Sequence, residues 1–312
     1  MSRIPVWIDT DTGVDDAVAL IVAAYLEQLD IVGVSAVAGN TSLDNAFRNA
    51  RDVLFFAKRE DIRVYKGAEK PLVKDLQIAA HVHGENGIGD VAIEHSNAPL
   101  QEEKAFDALY EKAKELDGEL NIVAIGPLTN IASTIIKHPD FVDYVKQLCI
   151  MGGAIDGGNI TPCAEFNIYE DPHAAECVFK SGIPVKMFGL DVTMKAFLND
   201  EDIKEIVSYN NKASAFFEAS NRLIYNVQRR NSGEGLREHD CCPLIYLAYP
   251  EIFTGRKCGI FVETQGEITM GKTVADLYTD YKYEDRHCEA FIDVNREEFV
   301  KIIKEAYKAY QE

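Results

Sequence analysis

Residues 6–17 read Val6-Trp7-Ile8-Asp9-Thr10-Asp11-Thr12-Gly13-Val14-Asp15-Asp16-Ala17. An apolar run of strand formers breaks into an acidic turn, and the residues after Gly13 open a helix, so the stretch reads as one strand-turn-helix unit. Outward from it the unit repeats. Short apolar runs at 6–9, 31–37, 64–66, 121–125, 147–151 and 185–190 alternate with helix-like stretches at 17–28, 43–58, 104–115, 130–136 and 172–180. That alternation is the habit of βα units and a largely parallel sheet. Several runs stop at Gly or a polar residue, and in open α/β sheets ligands bind at the carboxyl ends of the strands.

From residue 200 the pattern turns helical, at 200–208, 212–229 and 243–249. Strand-like runs follow at 259–263 and 290–294, then a last helix at 296–310. No Pro/Gly/Ser linker, repeat or low-complexity tract divides the chain. The expectation is one α/β domain over 1–312, with an open, largely parallel but mixed sheet flanked by helices and a helical C-terminal lobe over the active site. At 312 residues and 47% hydrophobic, such a domain buries a large core.

With 51 acidic against 32 basic residues the formal charge is -19, which repels polyanions and makes nucleic acid or an anionic membrane a poor partner. A neutral or cationic small molecule fits better. There is no signal-peptide pattern and no membrane-spanning apolar run, so the expected location is the cytoplasm. Seven cysteines without a C-x-x-C argue against a disulfide framework or zinc cluster and are expected to be reduced.

Four carboxylates within eight residues, Asp9, Asp11, Asp15 and Asp16, repel one another unless a cation neutralises them, and oxygen donors suit Ca²⁺ or Mg²⁺. Helix capping accounts for one or two of them, not four. A strand followed by D-x-D also opens phosphatases with an aspartyl nucleophile, but phosphoryl chemistry wants a basic cradle that the other motif loops lack.

Five further features are weaker singly. Gly39-Asn40-Thr41 offers an amide to a hydroxylated ligand or is a plain turn. In His81-Val82-His83-Gly84-Glu85 the histidines suit substrate orientation, metal or mere solvation. At Ile125-Gly126-Pro127-Leu128-Thr129-Asn130 the break frees a carbonyl, such as that of Ile125, for a hard cation, or is an ordinary strand-to-helix turn. Met151, Asn159, Glu165 and Asn167, on the loops 151–153 and 158–167, offer the mixed donors and acceptors that sugar hydroxyls require. His239-Asp240 offers a general acid and one more carboxylate, or a surface pair.

Together these segments resemble the inosine-uridine preferring nucleoside hydrolases, Ca²⁺-dependent N-ribohydrolases. The resemblance covers most of the chain: the acidic turn 9–16 matches the N-terminal fingerprint, and G-N-T, H-G-E, G-P-L-T-N, N-x-T-P-x-A-E-F-N and H-D follow in the family's order. It implies Asp11, Asp16, the Ile125 carbonyl and Asp240 as Ca²⁺ ligands, and Asp11 also as the base toward the attacking water. Asp15, Asn40, Met151, Asn159, Glu165 and Asn167 would line the ribose pocket, with His83 near the base or the 5' end and His239 as the leaving-group acid. A homodimer or homotetramer is expected. Thr12 departs from the family, where proline is commoner. The only tryptophan is Trp7 in the first strand, whereas purine-preferring members carry one near the acid, which argues against purine specificity. The competing readings are a Mg²⁺-dependent phosphohydrolase and a nucleoside-binding protein without catalysis.

Overall fold

The computed structural model describes residues 3–233, 235–277 and 287–310. Six parallel strands form the centre of its sheet: β1 (Ile4–Thr10), β2 (Leu29–Ala36), β3 (Val64–Lys66), β4 (Leu120–Ala124), β5 (Val145–Met151) and β6 (Val185–Phe188). Two-residue strands β7 (Phe197–Leu198) and β8 (Leu236–Arg237) pair with each other outside it, while β9 (Phe253–Val262), β10 (Thr273–Asp276) and β11 (Cys288–Val294) extend it. The order across the sheet is β10-β9-β11-β6-β5-β4-β1-β2-β3. β11 is parallel to β6, and β9 is antiparallel to both its neighbours, so the sheet is mixed at one side only. The run 3-2-1-4-5-6 is the doubly wound order, whose chain reversal opens a crevice between β1 and β4.

The helices are α1 (Val14–Tyr25), α2 (Leu43–Phe56), α3 (Ala80–His83), α4 (Ala105–Leu116), α5 (Thr129–Lys137) and α6 (Phe166–Glu170). They continue with α7 (Pro172–Phe179), α8 (Leu190–Thr193), α9 (Asp200–Ser208), α10 (Lys212–Ser232), α11 (Cys241–Ala248) and α12 (Arg296–Ala309). Helices α10, α11 and α12 pack against α1 and form the expected C-terminal lobe. Every residue of α1 from Val14 to Ala23 is buried, because neighbours cover it on all sides. A helix enclosed in this way has no solvent face for its two aspartates. Asp15 and Asp16 are therefore carried into the interior.

The differences from the periodicity have local causes. Helices α3, α6 and α8 span four or five residues, too few for a 3.6-residue period to register. β9 starts six residues before the apolar run because its first half is polar and pairs with β11 while remaining largely exposed. α11 starts at Cys241, ahead of Pro243, which the first helical turn tolerates because its N–H would have no partner there. α10 runs on to Ser232 through most of the polar stretch 229–235, of which Glu234 lies outside the described residues. Among the described residues no helix is long and apolar enough to cross a membrane.

One polar chain ties β1 to its neighbours. Trp7 Nε1 donates to Ser35 Oγ at 2.8 Å, Ser35 Oγ donates to Asp9 Oδ1, and Asn130 Nδ2 donates to the same oxygen at 2.7 Å. Asp9 is thus spent on the sheet. The Trp7 ring, stacked on Tyr65 at 5.3 Å, lies over Gly33, where a Cβ would stand 2.3 Å from it. Gly33→Ala should lower stability by about 1–3 kcal/mol, the usual cost of overpacking, seen as a lower urea midpoint.

Candidate active site

The acidic turn lies at the carboxyl end of β1, beside the crevice. Asp16, in the first turn of α1, accepts from Thr10 Oγ1 at 2.6 Å and from the Gly13 N–H at 2.8 Å, so its carboxylate folds back over the helix N-terminus. Asp11 accepts from the Asn40 N–H at 2.6 Å, and the Asn40 amide also reaches Asp11 Oδ1 at 3.3 Å and Asp16 Oδ2 at 3.1 Å. Asn40 thus spans two carboxylates. Gly39 and Gly126 leave room for Asp11: a Cβ would come within 2.2 Å of Oδ2 at the first and 2.9 Å of Oδ1 at the second. At Thr12 the N–H donates to Thr10 Oγ1 at 3.1 Å, a bond that a proline at this position could not make.

β8 brings Asp240 to the same point from the far end of the chain. Carboxylate oxygens of Asp15, Asp16 and Asp240 lie within 4.8 Å of one another. Asp11 and Asp16 share the Asn40 amide, and the charge of Asp16 acts on both Asp11 and Asp240. All four are buried, and among the described residues none has a Lys or Arg ion-pair partner. Burial, then Asp16, pushes Asp15 up to about 8, and burial drives Asp11 and Asp240 well above the carboxylate range. Asp15 Oδ1 accepts no hydrogen bond. A buried oxygen cluster with an orphaned lone pair suits a hard divalent cation.

The Ile125 carbonyl, just past β4, accepts from Asn167 Nδ2 at 3.2 Å, and the same amide donates to the Met151 carbonyl at 3.1 Å. Glu165 caps α6 through the Asn167 N–H at 3.0 Å and receives the Gly153 N–H at 2.8 Å, with burial raising its pKa to about 7. Asn159 is exposed, its Oδ1 accepting from the Phe166 N–H at 2.9 Å, so it stands outside the buried group. His83 is buried and its Nδ1 accepts from the Val14 N–H at 3.0 Å, which places the ring proton on Nε2. Burial holds its pKa near 3. The ring is neutral, so its 4.0 Å approach to Asp15 is no ion pair. His81 is exposed. His239 keeps an open edge, contacts Thr193 Oγ1 at 2.8 Å through Nδ1, and is held down to about 4 by burial and by Arg237.

Several participants escaped the sequence reading. Thr10 stood in the quoted turn without a role, although a hydroxyl beside an acidic turn is a signal. Asn49 Nδ2 donates to the Thr12 carbonyl at 3.2 Å, and Thr193 orients His239; neither has a local signal, since each acts across the fold. Glu238 is fully buried beside Asp15, and neither carboxyl oxygen has a hydrogen-bond partner.

A doubly wound sheet with hard oxygen donors gathered at its switch point defines a metal-using enzyme for small polar ligands. More particularly, the chain belongs to the inosine-uridine preferring nucleoside hydrolase family, whose model matches residues 6–301. It is 41% identical over 276 residues, 88% of this chain and 89% of the other, to the non-specific ribonucleoside hydrolase RihC of Escherichia coli. It is 39% identical over 316 residues, 98% of this chain and 99% of the other, to the pyrimidine-specific ribonucleoside hydrolase RihA of Salmonella schwarzengrund. Among solved structures, the purine-preferring ribonucleoside hydrolase of Gardnerella vaginalis superposes with a TM-score of 0.91 at 30% identity, covering 97% of this chain and 99% of that one. A plant nucleoside hydrolase, PpNRh1, gives a TM-score of 0.93 at 30% identity, covering 98% and 99%. The protein is a nucleoside hydrolase.

Raised pKa values at Asp15 and Glu165 make the metal-free protein bind more protons folded than unfolded, so their contribution to stability is full below about pH 4 and is lost as pH rises through about 7 to 8. A divalent cation reverses this by binding the ionised cluster. Melting temperatures with Ca²⁺ against a chelator should therefore differ more at pH 8 than at pH 5. An equal difference at both would remove the cluster from metal binding.

Proposed function

We propose that the protein hydrolyses the N-glycosidic bond of ribonucleosides to base and ribose at a Ca²⁺ site made by Asp11, Asp16, Asp240 and the Ile125 carbonyl. The observation that carries this is the buried carboxylate cluster of Asp15, Asp16 and Asp240, with Asp11 tied to Asp16 through the Asn40 amide. Bound there, Ca²⁺ would lower the pKa of a water molecule and orient it. Asp15 joins that cluster in space, and its unpartnered Oδ1 supports a ribose contact as well as a metal one.

Asp11, fixed by Asn40 and framed by two glycines, is the proposed base for the attacking water. Departure of the base leaves an oxocarbenium-like ribosyl centre, which the surrounding carboxylates stabilise. Met151, Glu165 and Asn167 would hold ribose hydroxyls from one side, with Asn159 at the outer edge and Asn40 acting mainly through the carboxylates. His83, with its proton on Nε2, would donate toward the base or the 5' hydroxyl. His239 is mostly neutral at pH 7, so it would serve as leaving-group acid through its protonated minority, or stabilise the departing base by a ring N–H hydrogen bond as negative charge develops there, with Thr193 fixing the ring.

The sole tryptophan, Trp7, is locked into the sheet, which supports a base range that includes pyrimidines. None of the seven cysteines forms a disulfide, which supports a cytoplasmic protein. The phosphohydrolase reading lacks its basic cradle, since no Lys or Arg pairs with the cluster among the described residues.

Incubated with Ca²⁺, the protein should release ribose from uridine within about tenfold of its rate on inosine. It should release no inorganic phosphate from a nucleoside monophosphate. Phosphate without ribose, or tight nucleoside binding without base release, would overturn the reading. Asp11→Ala should lower kcat by at least about 10³-fold and weaken Ca²⁺ binding, because ligand and base go together. His239→Ala should slow uridine or inosine far more than an aryl riboside whose leaving group needs no acid. Equal losses would take His239 out of that role.

A further inference from the structure

Between β3 and α3 the chain runs as a strap without regular structure, and residues 72–79 lead directly into the helix that carries His83. Few of its apolar side chains hold it down: Leu76 packs partly buried against the core and Ala79 is buried where the strap ends. Leu72, Val73 and Ile78 are exposed, at 40%, 67% and 51%. A strap with so little apolar burial opens easily unless its backbone is tied elsewhere.

Three consecutive residues at the end of α6 tie it. Lys74 Nζ donates to the Tyr169 carbonyl and lies 3.4 Å above the centre of the Tyr169 ring. The Gln77 N–H donates to Glu170 Oε1 at 2.8 Å, and the Leu72 N–H donates to Asp171 Oδ2 at 2.8 Å. Asp171 is itself fixed: Thr129 Oγ1 donates to Oδ2 at 2.7 Å and the Ala174 N–H to Oδ1 at 3.0 Å. Both carboxylates are fully buried. Solvent would satisfy the amides of an exposed strap, so burying two carboxylates to receive them makes sense only if the strap must be kept in one place.

That place is set against the sugar side of the site. α6 is five residues long and begins at Glu165 and Asn167, so its two ends lie only about 7 Å apart along the axis. At the strap's end the Ala79 N–H donates to the Asn40 carbonyl at 2.9 Å, and α3 then delivers His83 to the Val14 N–H. We infer that Glu170 and Asp171 are positioning residues for nucleoside binding: they lock the strap, and through it α3 and His83, in register with Glu165 and Asn167. The two sides of the pocket are then held as one unit. This rests on the proposed placing of His83, Glu165 and Asn167 against the nucleoside.

The test compares Glu170→Ala, Glu170→Gln and Lys74→Ala in the full-length, Ca²⁺-loaded enzyme, with uridine kinetics and hydrogen exchange of residues 70–84. Glu170→Ala removes the acceptor of a buried bond and should raise KM about tenfold while kcat changes less than about threefold, with faster exchange in the strap. Glu170→Gln keeps an acceptor oxygen and should return KM to within about twofold of the parent. Lys74→Ala acts from the strap's own side, leaves both carboxylates and their amide bonds in place while removing a cation that acts on them, and should raise KM about threefold. A merely structural role would cut the active fraction, lowering kcat with KM and strap exchange unchanged, and that result overturns the proposal. So does a glutamine variant as damaged as the alanine one. If the parent releases no ribose, the functional reading fails instead, and strap exchange in the three variants still decides whether these residues hold the strap.

Discussion

Ionised carboxylates lose several kcal/mol of hydration when they enter a protein interior, and only a counter-charge or a dense set of donors returns it. This chain buries Asp11, Asp15, Asp16 and Asp240 around one point and pairs none of them with a described Lys or Arg. Donors from Thr10, Gly13 and Asn40 orient Asp11 and Asp16 and offset part of the cost. The remainder falls to a divalent cation or to protons, and the raised carboxyl pKa values are the proton-bound alternative. Much of the surrounding architecture exists to make that arrangement tolerable.

The sheet does this by its order. β1 and β4 are neighbours in space although more than a hundred residues separate them, so the acidic turn after β1 opens beside the break after β4. The enclosed α1 carries Asp15 and Asp16 inward, and β8 returns the chain so that Asp240 meets them. Asp9, which still belongs to β1, is engaged through Oδ1, while its Oδ2 is buried without a hydrogen-bond partner. Its bonds to Ser35 and Asn130 join β1, β2 and α5, and it is not among the three carboxylates that converge on one point.

Directional polar contacts help to hold the segments around the carboxylates. His83 sits on the Val14 amide, the strap before it sits on the end of α6, and Asn49 reaches from α2 to Thr12 and to the carbonyl of Asn86. Directional bonds fix loop position more sharply than apolar burial, which tolerates sliding.

By itself the sequence determined the βα alternation, the parallel core, the metal-suited turn and the ordered motifs that carry the family resemblance, because each is written in local periodicity or in short contiguous residue patterns. Helices of four or five residues and the polar half of β9 were not legible, since they are stabilised by neighbours rather than by their own pattern. Only the tertiary structure decided that Asp15 stands in the carboxylate cluster, that Asn40 spans Asp11 and Asp16, that Asn159 lies outside the buried group, and that His83 is neutral. Only it brought Thr193 to His239 and residues 169–171 to the strap. Those relations join residues dozens of positions apart, and a charge state or a hydrogen-bond partner depends on which groups packing brings within about 3 Å, a distance that no local pattern encodes.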